Sequence, residues 1–263
     1  MLPSLFVAHG APILAIEDND YTQFLEQIGR KYPKAKAIVV FSAHWESRTQ
    51  KVSKVDEFET IYDFGGFPEE LYRIKYPARG DHSITKEIEK CFLSRNIPYE
   101  LDTKRGLDHG AWVILKLMYP NADIPVISMS VDTNLTPMEQ YEIGKSLLDL
   151  RKQDVLIVAS GGLVHNLGAV RMGSDDGTID QWACEFDTWL EHQITTWEVE
   201  TLFNYHSLAP NAELAVPPYG REHFIPLFYA MGAADDEQSA TLLHRSYRYG
   251  NLSHSVWQFG DKK

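Results

Sequence analysis

The chain has 263 residues, of which 44% are hydrophobic and 24% charged, and its formal net charge is −12. This length and balance are those of a globular protein that can bury a sizeable core. The negative charge argues against a nucleic-acid partner and against an anionic membrane surface, because both require clustered lysine and arginine. The two cysteines, Cys91 and Cys184, lack the spacing of a disulfide framework or of a cysteine metal site.

The first residues show no targeting signal. Met1-Leu2-Pro3-Ser4 lacks a basic region, and the apolar run behind it stops at His9. No stretch reaches the roughly 18 apolar residues that a membrane helix needs. We therefore expect no signal peptide, no membrane association and a cytoplasmic location.

Strand-like and helix-like segments alternate along the chain. Short apolar runs predict strands, and apolar residues recurring every three or four positions predict helices. In chain order the predictions are strand 4–8, helix 19–32, strand 35–43, edge strand 50–55, helix 81–94, strand 97–101, helix 111–118, strand 124–131, helix 136–152, strand 155–159, helix 180–197, helix 220–231, strand 240–247 and strand 253–259. This alternation predicts a single α/β domain spanning 1–263, with a central, largely parallel (mixed) sheet flanked by helices.

Three histidines stand at or just beyond the carboxyl ends of separate predicted strands: His9, His44 and His165. In a parallel sheet these ends lie along one edge, where α/β proteins bind their ligands. Imidazole is the commonest metal-binding side chain, and a divalent first-row metal needs three or four such donors. The pattern indicates a metal site at the carboxyl ends of the strands. The alternative is that these are ordinary turn residues next to glycines.

Two further histidines are candidates on local sequence. His109 follows Asp108 at a loop-to-helix junction, where Asp108 could instead be a helix N-cap with an exposed neighbour. His223 lies early in a predicted helix, beside Glu222, whose carboxylate is an equally good ligand by chemistry. Local sequence thus predicts a mononuclear metal site without specifying a reaction.

Six short motifs then occur in a characteristic order. They are His9-Gly10-Ala11-Pro12, Ser42-Ala43-His44-Trp45, Tyr62-Asp63-Phe64-Gly65-Gly66-Phe67-Pro68, Leu107-Asp108-His109-Gly110, Ser160-Gly161-Gly162-Leu163-Val164-His165-Asn166 and Glu222-His223-Phe224-Ile225-Pro226-Leu227. As an ordered set they resemble the class III extradiol ring-cleaving dioxygenase superfamily, in particular its 4,5-DOPA extradiol dioxygenase branch. The resemblance implies a single-domain α/β fold that uses O₂ to cleave a catechol such as DOPA.

The resemblance also implies roles for the histidines. His9, His44 and His223 would hold a non-haem metal, Fe(II) in the active form with Zn(II) as an alternative bound metal. His165 would be the active-site acid/base, close enough to the metal to serve as a ligand instead, and His109 would contact the substrate or support the ligands. Better-known members of the superfamily complete the triad with a carboxylate. Because a helix turns about 100° per residue, only one of His223 and Glu222 can face the metal.

The substrate pocket is predicted from aromatic and basic residues. Tyr62, Phe64 and Phe67 could line an apolar ring pocket, or they could simply pack in the core. Arg221 and Arg171 are candidates to bind a substrate carboxylate through the guanidinium fork. We expect a small-molecule catechol and O₂ as the reactants, and a monomer or small homo-oligomer.

Two other functions compete with ring cleavage. One is a zinc-dependent hydrolase, in which the metal activates water and Glu222 serves as the base. The other is a non-enzymatic, metal-binding partner protein, because the fold also resembles a family of cell-motility mediators that keep the histidines. The Asp108-His109 pair and the motif from Tyr62 to Pro68 favour the dioxygenase.

Overall fold

An eight-stranded sheet organises the structure, a computed structural model that describes residues 1–33, 35–171 and 177–260. The strands are β1 (Ser4–Ala8), β2 (Ala37–Glu46), β3 (Gln50–Ser53), β4 (Tyr99–Asp102), β5 (Val126–Val131), β6 (Val155–Gly161), β7 (Ala240–Arg248) and β8 (Leu252–Phe259). Their order across the sheet is β4-β3-β5-β2-β6-β1-β8-β7.

The pairing directions confirm the predicted mixed sheet. Strands β5, β2, β6 and β1 run parallel to one another, and β4 is parallel to β3. Strand β3 is antiparallel to β5, β8 to β1, and β7 to β8. The prediction of an edge strand at 50–55 was wrong, because β3 pairs on both sides, with β4 and with β5. A four-residue, largely polar strand looks like an edge in sequence, yet the order of strands depends on long-range pairing.

Most of the helices are shorter than predicted, whereas α3 begins two residues before the predicted start at 111. They are α1 (Asp20–Lys31), α2 (His82–Ser94), α3 (His109–Met118), α4 (Pro137–Ser146), α5 (Leu148–Arg151), α6 (Gln181–Thr195), α7 (Val199–Phe203), α8 (Tyr205–Leu208), α9 (Ala212–Ala215), α10 (Arg221–Phe224) and α11 (Pro226–Gly232). The predicted helix 220–231 is divided at Pro226, which lacks the N–H that would continue the ladder. Across the described ranges, none of the helices is long and apolar enough to cross a bilayer.

Two apolar layers cover the sheet, one on each face. Along β2, Val39 and Phe41 belong to the layer built with α2, α4, α6 and α11, whereas Ile38 and Val40 belong to the layer built with α1 and α3. All four side chains are fully buried. A continuous β-branched and aromatic run is therefore what this position requires, since successive side chains of a strand point to opposite faces.

Candidate active site

The strands that carry the predicted histidines are neighbours in the sheet. Strand β6 lies between β2 and β1, so the carboxyl ends of all three meet at the middle of one edge. His9 directly follows β1 and continues its ladder, with its N–H donating to the carbonyl oxygen of Gly161 at 3.1 Å. His44 lies within β2, where the register shifts between Phe41 and Glu46. Such an irregularity re-aims a side chain at the rim of a sheet.

The fourth histidine, His223, reaches this edge from α10. The N–H of Gly162 donates to the carbonyl oxygen of His223 at 2.8 Å, which seats the helix on the end of β6. A Cβ atom on Gly161 would lie 2.1 Å from that same oxygen, so the close approach requires glycine. The His223 ring centroid is 5.1 Å from that of His9 and 4.9 Å from that of His44.

His165 and His109 complete a cluster of five imidazoles. The His165 ring stacks on His223 with centroids 3.8 Å apart and an interplanar angle of 8°. The His109 ring lies 4.0 Å from that of His44. Asp108 is indeed the N-cap of α3, with its side chain accepting from the N–H of Ala111. His109 beside it is nevertheless buried, so the cap and a site residue occur together.

Hydrogen bonds behind the rings orient two of the donors. Ser160 Oγ donates to the carbonyl oxygen of Gly110, so it accepts from His9 Nδ1, 3.0 Å away. Glu222 Oε1 lies 2.8 Å from His223 Nδ1. With Nδ1 of each ring protonated towards these acceptors, Nε2 is left with its lone pair facing the cluster. Glu222 therefore lies behind His223 and does not replace it.

The three nitrogen donors fit a single metal ion. Ligand atoms of His9, His44 and His223 all lie within 4.8 Å of one another, and the Nε2 atoms of His9 and His44 are 3.0 Å apart. Two nitrogens bound at about 2.1 Å and at a right angle to each other are separated by about 3.0 Å. A second group, His44, Asp63 and His109, also falls within 4.8 Å.

Burial favours the uncharged form of four of these imidazoles, those of His9, His44, His165 and His223. It lowers the pKa of His9 and His223 well below the usual value, and neighbouring imidazoles lower both further. The pKa of His44 falls to about 4 and that of His165 to about 2, again chiefly through burial. Neutral imidazoles are the form that binds a cation, and a bound cation compensates for the solvent that the rings have lost.

Asp63 is a site residue to which the sequence reasoning assigned no role. Its Oδ1 accepts the backbone N–H of His109 at 2.9 Å and lies 3.0 Å from Nδ1 of that ring. Its Oδ2 is 3.7 Å from His44 Nδ1. Although burial opposes the charge, the contacts with His109 and then His44 hold the Asp63 pKa at about 2. Its position inside the motif Tyr62-to-Pro68 was the available signal.

A cavity of about 240 Å³ opens onto the cluster. All five histidines line it, together with mainly apolar residues and with one further imidazole, that of His254. Of the three predicted ring-pocket aromatics, Phe67 lines the cavity. Phe64 packs behind it, with ring centroids 5.5 Å apart, and Tyr62 packs on Trp112 while donating to the carbonyl oxygen of Ile74. Tyr62 and Phe64 thus support the wall without forming its surface.

The two predicted arginines lie elsewhere. Arg221 donates to the carbonyl oxygen of Thr133 and lines a separate, smaller cavity, beside Tyr205 and His206. Arg171 pairs with Asp180, and neither arginine is among the residues that line the histidine cavity. The prediction that they bind a substrate carboxylate is not supported by this placement. Arg221 projects from the same helix as His223, but the helical rotation directs it away from the cluster.

An α/β sheet with several imidazoles clustered at its carboxyl edge is typical of a metalloenzyme. A family model described as the catalytic LigB subunit of aromatic ring-opening dioxygenase matches residues 3–260. The chain belongs to this family and is an extradiol ring-cleaving dioxygenase, so a non-haem metal is implied.

Individual relatives cover nearly the whole chain. The 4,5-DOPA dioxygenase extradiol of Beta vulgaris is 42% identical over 260 residues, which are 97% of this chain and 96% of that protein. The protein of the same name from Escherichia coli (strain K12) is 36% identical over 264 residues, covering 98% and 95%. A crystal structure of an uncharacterized Escherichia coli K12 protein matches with a TM-score of 0.83 and 34% identity, covering 99% of this chain and 100% of that chain.

Proposed function

We propose that this dioxygenase uses Fe(II) to open the ring of a DOPA-like catechol, with His9, His44 and His223 as the metal ligands. The observation that carries the proposal is the convergence of these three donors, two of which have their Nδ1 atoms engaged by Ser160 and Glu222. Bound there, ferrous iron would supply a Lewis acid with open positions for both a catecholate and O₂.

His165 is proposed as the acid/base of the reaction. It lines the cavity, stacks on His223, and lies outside the two groups of donors that are close enough to share an ion. Burial leaves its ring neutral, so Nδ1 or Nε2 can accept a proton from a catechol hydroxyl. The negative charge of the substrate would raise the basicity of the ring, and the same imidazolium could return the proton as the ring opens.

His109 and Phe67 are proposed to position the catechol. His109 is held by Asp63 from behind, which fixes its ring at the side of the cavity next to His44. Phe67 supplies an apolar wall against which an aromatic ring can lie. The relatives named 4,5-DOPA dioxygenase extradiol support DOPA as the first catechol to test. The cytoplasmic location and the oligomeric state stay predictions.

The hydrolase alternative is not favoured by the environment of Glu222. A water-activating base needs a carboxylate that faces the metal position. Glu222 Oε1 is instead 2.8 Å from His223 Nδ1, on the far side of that ring. Membership in the ring-opening family argues in the same direction.

The test is anaerobic loading with Fe(II), followed by addition of DOPA in air, with O₂ uptake and the visible absorbance of the ring-opened product recorded together. We expect one O₂ consumed per DOPA. His44→Ala should abolish uptake together with Fe(II) binding, and His165→Ala should slow turnover by roughly 10²–10⁴-fold while Fe(II) stays bound.

His82→Ala is the matched control, because His82 pairs with Asp56 on the surface. It should leave turnover unchanged. A fully Fe(II)-loaded protein that consumes no O₂ with DOPA or any other catechol would refute the proposed function.

A further inference from the structure

His254 is an imidazole in the cavity wall that the proposed reaction does not use. It lies in β8, its side chain is buried, and the residue is only 6% exposed. It lines the cavity together with the five clustered histidines. In the described part of the chain, no hydrogen bond joins either of its ring nitrogens to another group. Because the ring lines the cavity, a ligand that enters there can form the hydrogen bonds that the protein does not supply.

The position of the ring is well defined. It stacks on Tyr21 with centroids 4.6 Å apart and an interplanar angle of 17°, and the Tyr21 hydroxyl donates to the carbonyl oxygen of Ala8. A Cβ atom on Gly10 would lie 2.8 Å from His254 Nε2, so the absence of a side chain there admits the ring. Gly10 has φ +60°, the left-handed region that favours glycine.

His254 also stands next to the proposed acid/base segment. The N–H of Ser253 donates to the carbonyl oxygen of Val164 at 3.1 Å, which joins the start of β8 to the residue before His165. A second, open cavity of about 620 Å³, lined by Arg248 and Glu17 among others, shares His254 with the histidine cavity. The His254 ring therefore lies on the side of the histidine cavity that faces the open cavity.

The geometry points to His254 as a specificity-determining residue that hydrogen-bonds the polar ring substituent of the catechol. This inference rests on the proposed function, because it assigns a contact to the substrate of that site. A catechol whose hydroxyls face the clustered histidines would extend its substituent away from them. A neutral imidazole there can donate to a carboxylate or accept from an ammonium group, and the shared chemistry is a hydrogen bond to a polar head.

The test measures anaerobic dissociation constants of catechols on the Fe(II)-loaded enzyme by calorimetry, alongside kcat and KM in air. Four probes separate the chemistry: DOPA, 3-(3,4-dihydroxyphenyl)propionate with only the carboxylate, dopamine with only the ammonium group, and 4-methylcatechol with neither. We expect His254→Leu to raise the Kd and KM for DOPA roughly tenfold and to leave those for 4-methylcatechol within about twofold. If His254→Leu weakens binding of the propionate to the same extent as binding of DOPA, the carboxylate is the group that His254 contacts. If it weakens binding of dopamine to the same extent, the ammonium group is the one contacted.

Two further variants separate recognition from structure. His254→Gln keeps a hydrogen-bonding group and should recover most of the affinity for DOPA. His244→Leu should leave the Kd and KM for both DOPA and 4-methylcatechol unchanged. His244 also packs on Tyr21, with centroids 5.1 Å apart, but it is not among the residues lining either cavity. Equal losses for DOPA and 4-methylcatechol in His254→Leu, or no loss for DOPA, would overturn the inference.

The failure of this inference is distinguishable from failure of the proposed function. A wild-type enzyme that opens 4-methylcatechol but binds DOPA no more tightly overturns the role of His254 and leaves ring cleavage intact. Selective DOPA binding that depends on His254, without O₂ uptake, refutes the proposed function and supports the contact. No binding of any catechol overturns both.

Discussion

His9 Nε2 and His44 Nε2 lie 3.0 Å apart, although their strands do not pair with each other. Both strands pair with β6, so the contact crosses the end of the strand between them. Because Ser160 fixes the proton of His9 on Nδ1, the two Nε2 atoms can share a proton or share a cation. The strand order and Ser160 thus set the geometry of the proposed metal centre.

Ser160→Ala should weaken metal binding. The change leaves His9 Nδ1–H without its acceptor in a buried position and frees the ring to choose the other tautomer. We expect a roughly 10–100-fold loss of Fe(II) or Zn(II) affinity, measured by competition with a chromogenic chelator. Ser4→Ala is the control, since Ser4 is equally buried on the adjacent strand but its Oγ has no hydrogen-bond partner in the described residues. Unchanged affinity in Ser160→Ala would contradict the assigned role.

Asp63→Asn should impair turnover more than folding. The amide retains the size of the carboxylate but loses the charge that faces His109 and His44. We expect kcat/KM to fall roughly 10–100-fold, with a small change in the midpoint of urea unfolding. Asp56→Asn tests the same change at an exposed aspartate–histidine pair and should have no effect on activity. If the two variants behaved alike, Asp63 would have no special role in the site.

The convergence of the histidines on strands could be predicted from sequence, because strand ends of a parallel sheet share one edge. The positions of His9, His44 and His165 at this edge could be predicted from the three apolar runs that precede them. His223 came from the resemblance, since a four-residue helix carries little periodicity. Strand order in the sequence gives no signal for His254, because β8 is antiparallel to β1 and the first residues of β8, not the last, lie at this edge.

The pocket was harder to predict because side-chain direction depends on tertiary packing. An aromatic loop indicates proximity to a ring pocket, but its pattern does not distinguish Phe67 on the cavity surface from Tyr62 behind it. Arg221 is two residues from His223, and only the rotation of α10 and the carbonyl of Thr133 direct it elsewhere. Local sequence therefore predicts where the site lies but not which side chains line its cavity.

Gly161→Ala should displace His223 although it replaces none of the proposed metal ligands. The new Cβ would lie 2.1 Å from the carbonyl oxygen of His223, so α10 must move or the variant must lose stability. We expect a loss of several-fold or more in metal affinity and an unfolding free energy lower by roughly 1–3 kcal/mol, measured by chelator competition and urea titration. Gly65→Ala places its Cβ in open space and should be neutral in both measurements. A stable Gly161→Ala protein with normal metal affinity would argue against this packing.

His254 should make the metal-free protein sensitive to acid. Burial, and then the charges of Arg248 and His244, lower its pKa to about 3, whereas the unfolded chain has the usual value near 6.5. Between these pKa values the unfolded state binds more protons than the folded state. The contribution of His254 to the free energy of unfolding is therefore largest above pH 6.5 and declines as the pH falls towards 3. One such histidine accounts for about 2 kcal/mol between pH 7 and pH 5. Urea unfolding at the two pH values should show that His254→Leu reduces this loss by a similar amount, whereas replacing the exposed His82 leaves it unchanged. An equal loss in His254→Leu and the wild type would mean that the ring is not held neutral by the fold.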